Sequence, residues 1–304
     1  MEFSRLPRFK RAVTIAPIQL TERDREIIRL VHQYRFLRSP QIVVLLADSS
    51  QQLLRRLQLL YHHGYLERPR AQLNYYHQGG SSHIVYGLGN KGWAILKKEL
   101  GPSFRELSWG EKNRSVGRMF LEHALFVSDV MVALEIACRK NGTIRLLTEN
   151  QILLPGKAQK FRWKVNINNR LKLGVIPDRV FALEFRNQSG NNNRAYFFLE
   201  ADRGTMPVIR RTLYQTSFYR KLLAYEATWS QSIHRTRFGF HRFRVLTVTT
   251  SAERVKSLVD ACSKLKSGQG LFLFADRTVL ENPADIFSAI WHTGKLGEAG
   301  SLLD

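Results

Sequence analysis

Cysteine is scarce in this chain of 304 residues: only Cys138 and Cys262 occur, far apart and within apolar helical patterns. Two isolated thiols exclude a disulfide framework and offer no zinc-ligand spacing. Long hydrophobic runs are missing too. The longest apolar stretches, such as residues 42–47, fall far short of the roughly 20 residues a membrane-spanning helix needs, so no membrane partner is expected. Residues 1–11 carry four basic side chains but lack the apolar core and cleavage site of a secretory signal. A soluble, cytoplasmic protein is the expectation. Acidic residues are in short supply, 25 against 47 lysines and arginines, for a formal net charge of +22. Such an imbalance predicts a polyanionic partner, with nucleic acid first. Sixteen basic and seven acidic residues fall in the first hundred, so the rest of the chain is basic as well.

The apolar periodicity then divides the chain. Thr21 with Asp24 forms a capping arrangement, and Ile27, Leu30, Val31 and Tyr34 repeat along one face of a first helix. Ser39-Pro40 opens a second, with Ile42, Leu45 and Leu46 as its stripe. A third starts near Ser49 or Ser50, turns Leu53, Leu54, Leu57, Leu60 and Tyr61 inward, and stops at Gly64. Residues 65–68 and 83–86 read as a hairpin with a long tip. Three helices and a hairpin predict a winged helix-turn-helix over residues 20–100, preceded by a basic arm over 1–19 and closed by a helix over 90–100. The polar stretch 101–118 reads as a linker. Beyond it, over 119–304, the expected order is helix 120–139, strands 144–147, 173–185 and 195–201, helix 207–229, strand 243–249, helix 252–265, strand 270–275 and helix 283–291. That order predicts an α/β domain with a mixed central sheet.

On the third helix the spacing i, i+4, i+7, i+11 aligns Gln51, Arg55, Gln58 and His62, flanked by Gln52 and Arg56. Arg and Gln carry the paired donors and acceptors that match base edges in the major groove of double-stranded DNA. Any amphipathic helix also carries such residues outside, so the reading leans on the hairpin and the basic charge. Arg68, Arg70, Tyr75, Tyr76 and His77 fall in or near the wing, as candidate phosphate contacts or as solvated loop residues.

Three carboxylates mark a second centre. Asp178 follows Pro177 at the opening of one apolar segment, and Glu200 and Asp202 close another. Strand side chains alternate faces, so Glu200 and Asp202 are expected on the same side. Like charges in one small volume call for a neutralising cation, and oxygen-only ligands select Mg²⁺ or Mn²⁺. The competing reading makes Asp178 a turn or cap residue, pairs Glu200 and Asp202 with Arg203, Arg210 or Arg211, and leaves Lys221 solvated.

Asp178, Glu200 and Asp202, set in this order of helices and strands, resemble the PD-(D/E)XK restriction-endonuclease-like fold. From the helix-turn-helix through Glu200-Ala-Asp-Arg-Gly-Thr205 to Lys221-Leu-Leu-Ala-Tyr225, roughly residues 20–250, the chain is similar to the replication-relaxation family of plasmids and other mobile elements. The resemblance implies metal ligation by Asp178 and Glu200; the carboxylate trio adds Asp202 as a third candidate ligand, and Lys221 is the candidate that completes a catalytic set. It also exposes a departure: Asp202 stands where the nuclease pattern has lysine. Either Lys221 supplies that charge from the next helix, or the centre no longer cleaves. Gln215 and Tyr219 match a Gln-x-x-x-Tyr string placed on this helix in some nucleases of the superfamily. No His-x-His string occurs, which sets the chain apart from relaxases that use a histidine cluster and a tyrosine nucleophile; Tyr219 or Tyr225 would fill the latter role. The expected function is recognition of duplex DNA by the winged helix with metal-dependent nicking, by a monomer or a homodimer. The alternative is a non-enzymatic regulator or replication initiator with an inactive nuclease-like domain.

Overall fold

In the computed structural model, which describes residues 8–75, 83–100, 109–152, 161–186 and 193–303, the first helix begins where Thr21 and Asp24 cap each other. The chain divides into two compact units, residues 1–128 and 129–304, and the division falls inside one long helix.

In the first unit, α1 (Glu22–Tyr34), α2 (Ser39–Leu46) and α3 (Ser50–His62) follow the apolar stripes, burying Ile27, Ile28, Val31, Ile42, Leu53, Leu57 and Leu60. Each of these aliphatic side chains contributes about 1.5–3 kcal/mol when fully buried. Between α1 and α2 runs β1 (Phe36–Arg38), which the sequence pattern does not predict because three residues are too few to show alternation. It pairs with β3 (Val85–Leu88), which pairs on its other edge with β2 (Leu66–Glu67), in the order β1-β3-β2. Gly87 permits the close approach, since a Cβ there would lie 2.8 Å from the Phe36 ring. Gly64, at φ +84°, turns the chain from α3 into β2. Tyr76, His77 and the rest of the expected hairpin tip to Ser82 lie outside the described residues; before them, Arg70–Tyr75 forms a 3₁₀ turn. The helix α4 (Asn90–Leu100) has the expected bounds, while α5 (Trp109–Arg114) occupies part of the stretch read as a linker. Asn113 fixes α5 by donating to the Leu88 carbonyl at 2.9 Å. The first half of α6 (Arg118–Asn141) belongs to this unit, where Ser128 donates to the Phe36 carbonyl at 2.8 Å.

The second unit is a mixed sheet with helices. After α6 come β4 (Ile144–Thr148), α7 (Glu149–Ile152), β5 (Trp163–Asn166), β6 (Lys172–Val175), β7 (Arg179–Phe185), β8 (Asn193–Ala201), α8 (Phe218–Ser230), α9 (Ile233–Phe238), β9 (Arg244–Thr249), α10 (Ala252–Cys262), β10 (Phe272–Asp276), β11 (Trp291–Thr293) and β12 (Ala299–Gly300). Seven strands form the main sheet in the order β12-β11-β10-β9-β8-β7-β4, with β8, β9 and β10 parallel and the outer pairs antiparallel. The strand expected over 173–185 is two, interrupted at Pro177, which has no N–H to give a ladder; β6 instead pairs with β5 in a separate ribbon. The helix expected from residue 207 begins at Phe218, because the carbonyls of Pro207 and Val208 fold back to accept the Phe218 and Tyr219 N–H groups. The expected last helix is a 3₁₀ turn at Pro283–Asp285 followed by β11. Trp163, Phe198, Phe218, Tyr225, Phe243 and Phe272 cluster under α8, with Trp163 and Phe198 ring centroids 5.2 Å apart.

Candidate functional site

Alternation along the sheet puts Phe198 and Glu200 on the α8 side of β8, and Val245, Thr247 and Thr249 on the same side of β9. Asp178 enters beside them just ahead of β7: its N–H donates to the Leu199 carbonyl at 3.0 Å, and its Oδ2 accepts from the Ala201 N–H at 2.8 Å. Glu200 is buried, and α8 covers it with two side chains one turn apart. Lys221 Nζ donates to Glu200 Oε2 at 2.5 Å, and the Tyr225 hydroxyl donates to Oε1 at 2.6 Å. Asp178, Glu200, Lys221 and Tyr225 therefore form one electrostatic cluster at the ends of β7 and β8.

Burial pushes the Glu200 carboxyl up, the Asp178 charge adds to that, and the Lys221 ammonium opposes it. Lys221 is held above its ordinary value: burial works against its charge, but the carboxylates of Glu200 and Asp178 outweigh that cost. Tyr225 is raised well above the ordinary phenol range by burial and by Glu200. Its hydroxyl is buried and donates to Glu200, so Tyr225 is placed to orient that carboxylate. Gln215 lies in the loop before α8, so its spacing to Tyr219 does not put the two on one helix.

Asp202 stays on the expected side of the strand, but its carboxylate is taken elsewhere. Oδ2 accepts from Thr249 Oγ1 and from Arg254 Nε, both at 2.8 Å, and Oδ1 accepts from the Gly204 N–H at 3.2 Å and from Arg254 Nη2 at 3.3 Å. Arg254 also donates to the Met206 carbonyl at 2.6 Å, so the pair clamps the turn after β8 to α10. Of the acids expected to pair with Arg203, Arg210 or Arg211, Asp202 pairs with Arg254 on a later helix and Glu200 with Lys221.

This arrangement bears on an Mg²⁺ or Mn²⁺ ion. No group of three or more His, Cys, Asp or Glu side chains poised to hold a metal occurs among the described residues. The two carboxylates that remain together, Asp178 and Glu200, are hard oxygen donors. Beside Glu200 the wholly buried Thr247 hydroxyl makes no hydrogen bond. Magnesium is commonly held by one or two carboxylates, with water and substrate phosphate completing its shell, and this reduced donor set fits that mode.

In the first unit the expected reading row separates into two groups. Gln51, Gln52 and Arg55 are exposed on α3, Gln58 is half-buried, and Arg70 is exposed beyond β2. Leu54, expected to face inward, is 46 % exposed and joins that face. Arg56 turns back to α1, where Nε donates to Asp24 Oδ1 at 2.9 Å and Nη2 reaches the Gln19 carbonyl at 3.1 Å. His62 and Arg68 do not belong to the exposed surface. His62 is buried and its Nδ1 accepts from the Ala12 N–H at 3.1 Å; burial, then the Arg68 and Arg11 charges, lower its pKa. Arg68 is buried over the Tyr61 ring, 4.1 Å from its centroid, and donates to the Tyr86 hydroxyl and the Arg8 carbonyl. Arg11 completes the docking by bonding the Glu67 carboxylate at 2.8 Å. Residues 8–12 of the expected basic arm are thus packed on α3 and β2.

Thr247 and Arg254 were not expected at the site, and Tyr225 was expected there only as a candidate nucleophile. A signal existed for Tyr225, since Lys221 and Tyr225 at i, i+4 share a helix face; none existed for Arg254, 52 residues from Asp202. No helix among the described residues is long and apolar enough to cross a membrane.

A family model described as replication-relaxation matches residues 28–241, from within α1 past α8 and the whole carboxylate cluster. No curated protein and no solved structure matches the chain. Because the match spans most of the sequence and includes both the helices of the first unit and the Asp178, Glu200 and Lys221 cluster of the second, the chain belongs to the replication-relaxation family.

Proposed function

We propose that this protein binds duplex DNA of a plasmid or other mobile element through a winged helix-turn-helix, made of α1 to α3 with the β1-β3-β2 sheet, and nicks DNA by metal-dependent phosphodiester hydrolysis at Asp178, Glu200 and Lys221. The observation that carries this reading is the Lys221–Glu200 contact at 2.5 Å. It restores from α8 the cation missing from strand position 202. The element order supports it: helix α6, antiparallel β4, β7 and β8, helix α8, then β9 parallel to β8 is an order that a restriction-endonuclease-like domain calls for.

When bound, Mg²⁺ or Mn²⁺ supplies Lewis acidity toward the phosphate and a water of lowered pKa. Asp178 and Glu200 would hold the ion. Tyr225 fixes Glu200 Oε1, so the carboxylate keeps one orientation, and Lys221 brings a positive charge to oppose the charge that builds on the phosphate oxygens. Asp202 acts through Arg254 to hold the turn beyond β8, outside the ligand set.

A second reading, a regulator or initiator that binds DNA without cutting it, is favoured by one observation: both oxygens of Glu200 and both of Asp202 already accept from the protein's own groups. Supercoiled plasmid carrying candidate origins, incubated with protein and Mg²⁺ or Mn²⁺ beside Asp178→Ala, Glu200→Ala and Lys221→Met, separates them. Nicking by the wild type alone supports the enzyme. Equal nicking by all four proteins indicates contamination, and no nicking by any leaves the binding protein.

A further inference from the structure

Next to Lys221 the second unit carries a cleft of about 210 Å³ between β6 and the start of α8. Leu173, Gly174 and Met206 give it an apolar side. Thr216, Ser217, Arg220 and Lys221 bring two hydroxyls and two cations to the other. Across the ribbon Gly174 faces Lys164, and the alternation of β5 and β6 leaves Lys164 and Lys172 exposed on the same outer surface as Gly174. Arg220 is steadied by donating to the Tyr214 carbonyl at 3.1 Å, and Arg210 and Arg211 are exposed on the loop that precedes the cleft.

We infer that this cleft receives one unpaired nucleotide of a DNA strand. A nucleotide has an apolar, flat base joined to an anionic phosphate, and the cleft offers the matching pair of surfaces side by side. At about 210 Å³ it is smaller than the roughly 300–1,000 Å³ of sites that engulf a drug-sized molecule, and a paired duplex does not enter it. A base must leave its stack to occupy it, as it does wherever a protein pockets a single nucleotide. Cationic tracks beside such a pocket are the general means of following a single strand's backbone. Lys221 lines this cleft and bonds Glu200, so the inference deepens the reading of the Asp178, Glu200 and Lys221 centre: it names a strand opened at one position as the substrate.

Arg220, which lines the cleft beside Lys221, allows a direct test. Binding of a labelled oligothymidylate of about twenty nucleotides, long enough to span a single-strand site, is followed by fluorescence anisotropy in EDTA. A blunt duplex is measured in parallel. Arg220→Gln is expected to weaken strand binding and to reduce its salt slope by about one, with duplex affinity unchanged. Unchanged strand affinity overturns the inference, as does equal weakening of strand and duplex. If Arg220→Gln lowers the melting temperature, Thr216→Glu, which sets a carboxylate in the exposed lining of the cleft, decides in its place: weaker strand binding supports the cleft, and unaltered strand binding overturns it. Because EDTA removes any cleavage, a protein that fails to nick can still pass this test, and a nicking protein can fail it.

Discussion

Lys221 and Tyr225 lie one turn apart on α8 and divide the Glu200 carboxylate between them, the ammonium on Oε2 and the phenol on Oε1. A buried acid is thereby held in one orientation by two donors from a single helix face.

Replacing Tyr225 with Phe removes one of those donors without altering the ring packing on Phe198. A buried carboxylate oxygen then loses its partner, which costs about 1–3 kcal/mol. The urea midpoint of Tyr225→Phe should fall accordingly. An unchanged midpoint would show that Glu200 finds another donor.

Lys221→Met should carry a pH signature. Glu200 already has a raised pKa in the fold, so the stability it contributes is greatest in acid and declines as pH rises from its ordinary value of 4.5 through the higher folded value. Removing the Lys221 charge raises Glu200 further and steepens that decline. The variant should match the wild type most closely in acid and fall behind toward neutral pH in a series of urea titrations. A deficit independent of pH would contradict the pairing.

Arg56 and Arg55, adjacent on α3, should behave differently. Asp24 is buried, and although burial alone raises its pKa, hydrogen bonds from Arg56 and Thr21 bring it below the ordinary 3.8. Its stabilising contribution is present above that value and is lost as pH falls through the folded pKa. Arg56→Ala should therefore cost about 2 kcal/mol at neutral pH, because it leaves a buried charge short of donors. The gap to the wild type should close in strong acid, as read by thermal melting across pH.

Arg55, exposed on the same helix, should leave stability intact when changed to Ala. Its duplex affinity should fall, and the slope of log affinity against log salt should drop by about one. Retention of the full slope would take α3 out of the DNA interface.

Local periodicity made much of the fold legible. Ile27, Val31 and Tyr34 mark α1, Leu53, Leu57 and Leu60 mark α3, and α4 has the bounds its sequence suggests, because helix faces and stops such as Gly64 are written within a few residues. Phe36–Arg38 was invisible as a strand because only its distant partner Val85–Leu88 makes it one. Pro207 resembles a helix start, yet its carbonyl is spent on capping Phe218, an interaction that closes over eleven residues of loop. At the carboxylate centre the residue types and strand ends were readable. The fate of Asp202 was not, since it depends on the parallel pairing of β8 with β9 that brings Thr249 and Arg254 alongside. Likewise nothing local distinguishes His62 and Arg68 from Gln51 and Arg55; they are buried because residues 8–12 cross over them.

That crossing governs how the first unit can be shortened. A chain starting at Thr21 would strip Glu67 of Arg11, leaving Arg114 as its remaining cation, and would open the Tyr61 and Arg68 stack to water. Fragments meant to isolate DNA recognition should retain the residues from Arg8 onward, or loss of affinity on trimming will report a loosened hairpin root in place of a missing phosphate contact.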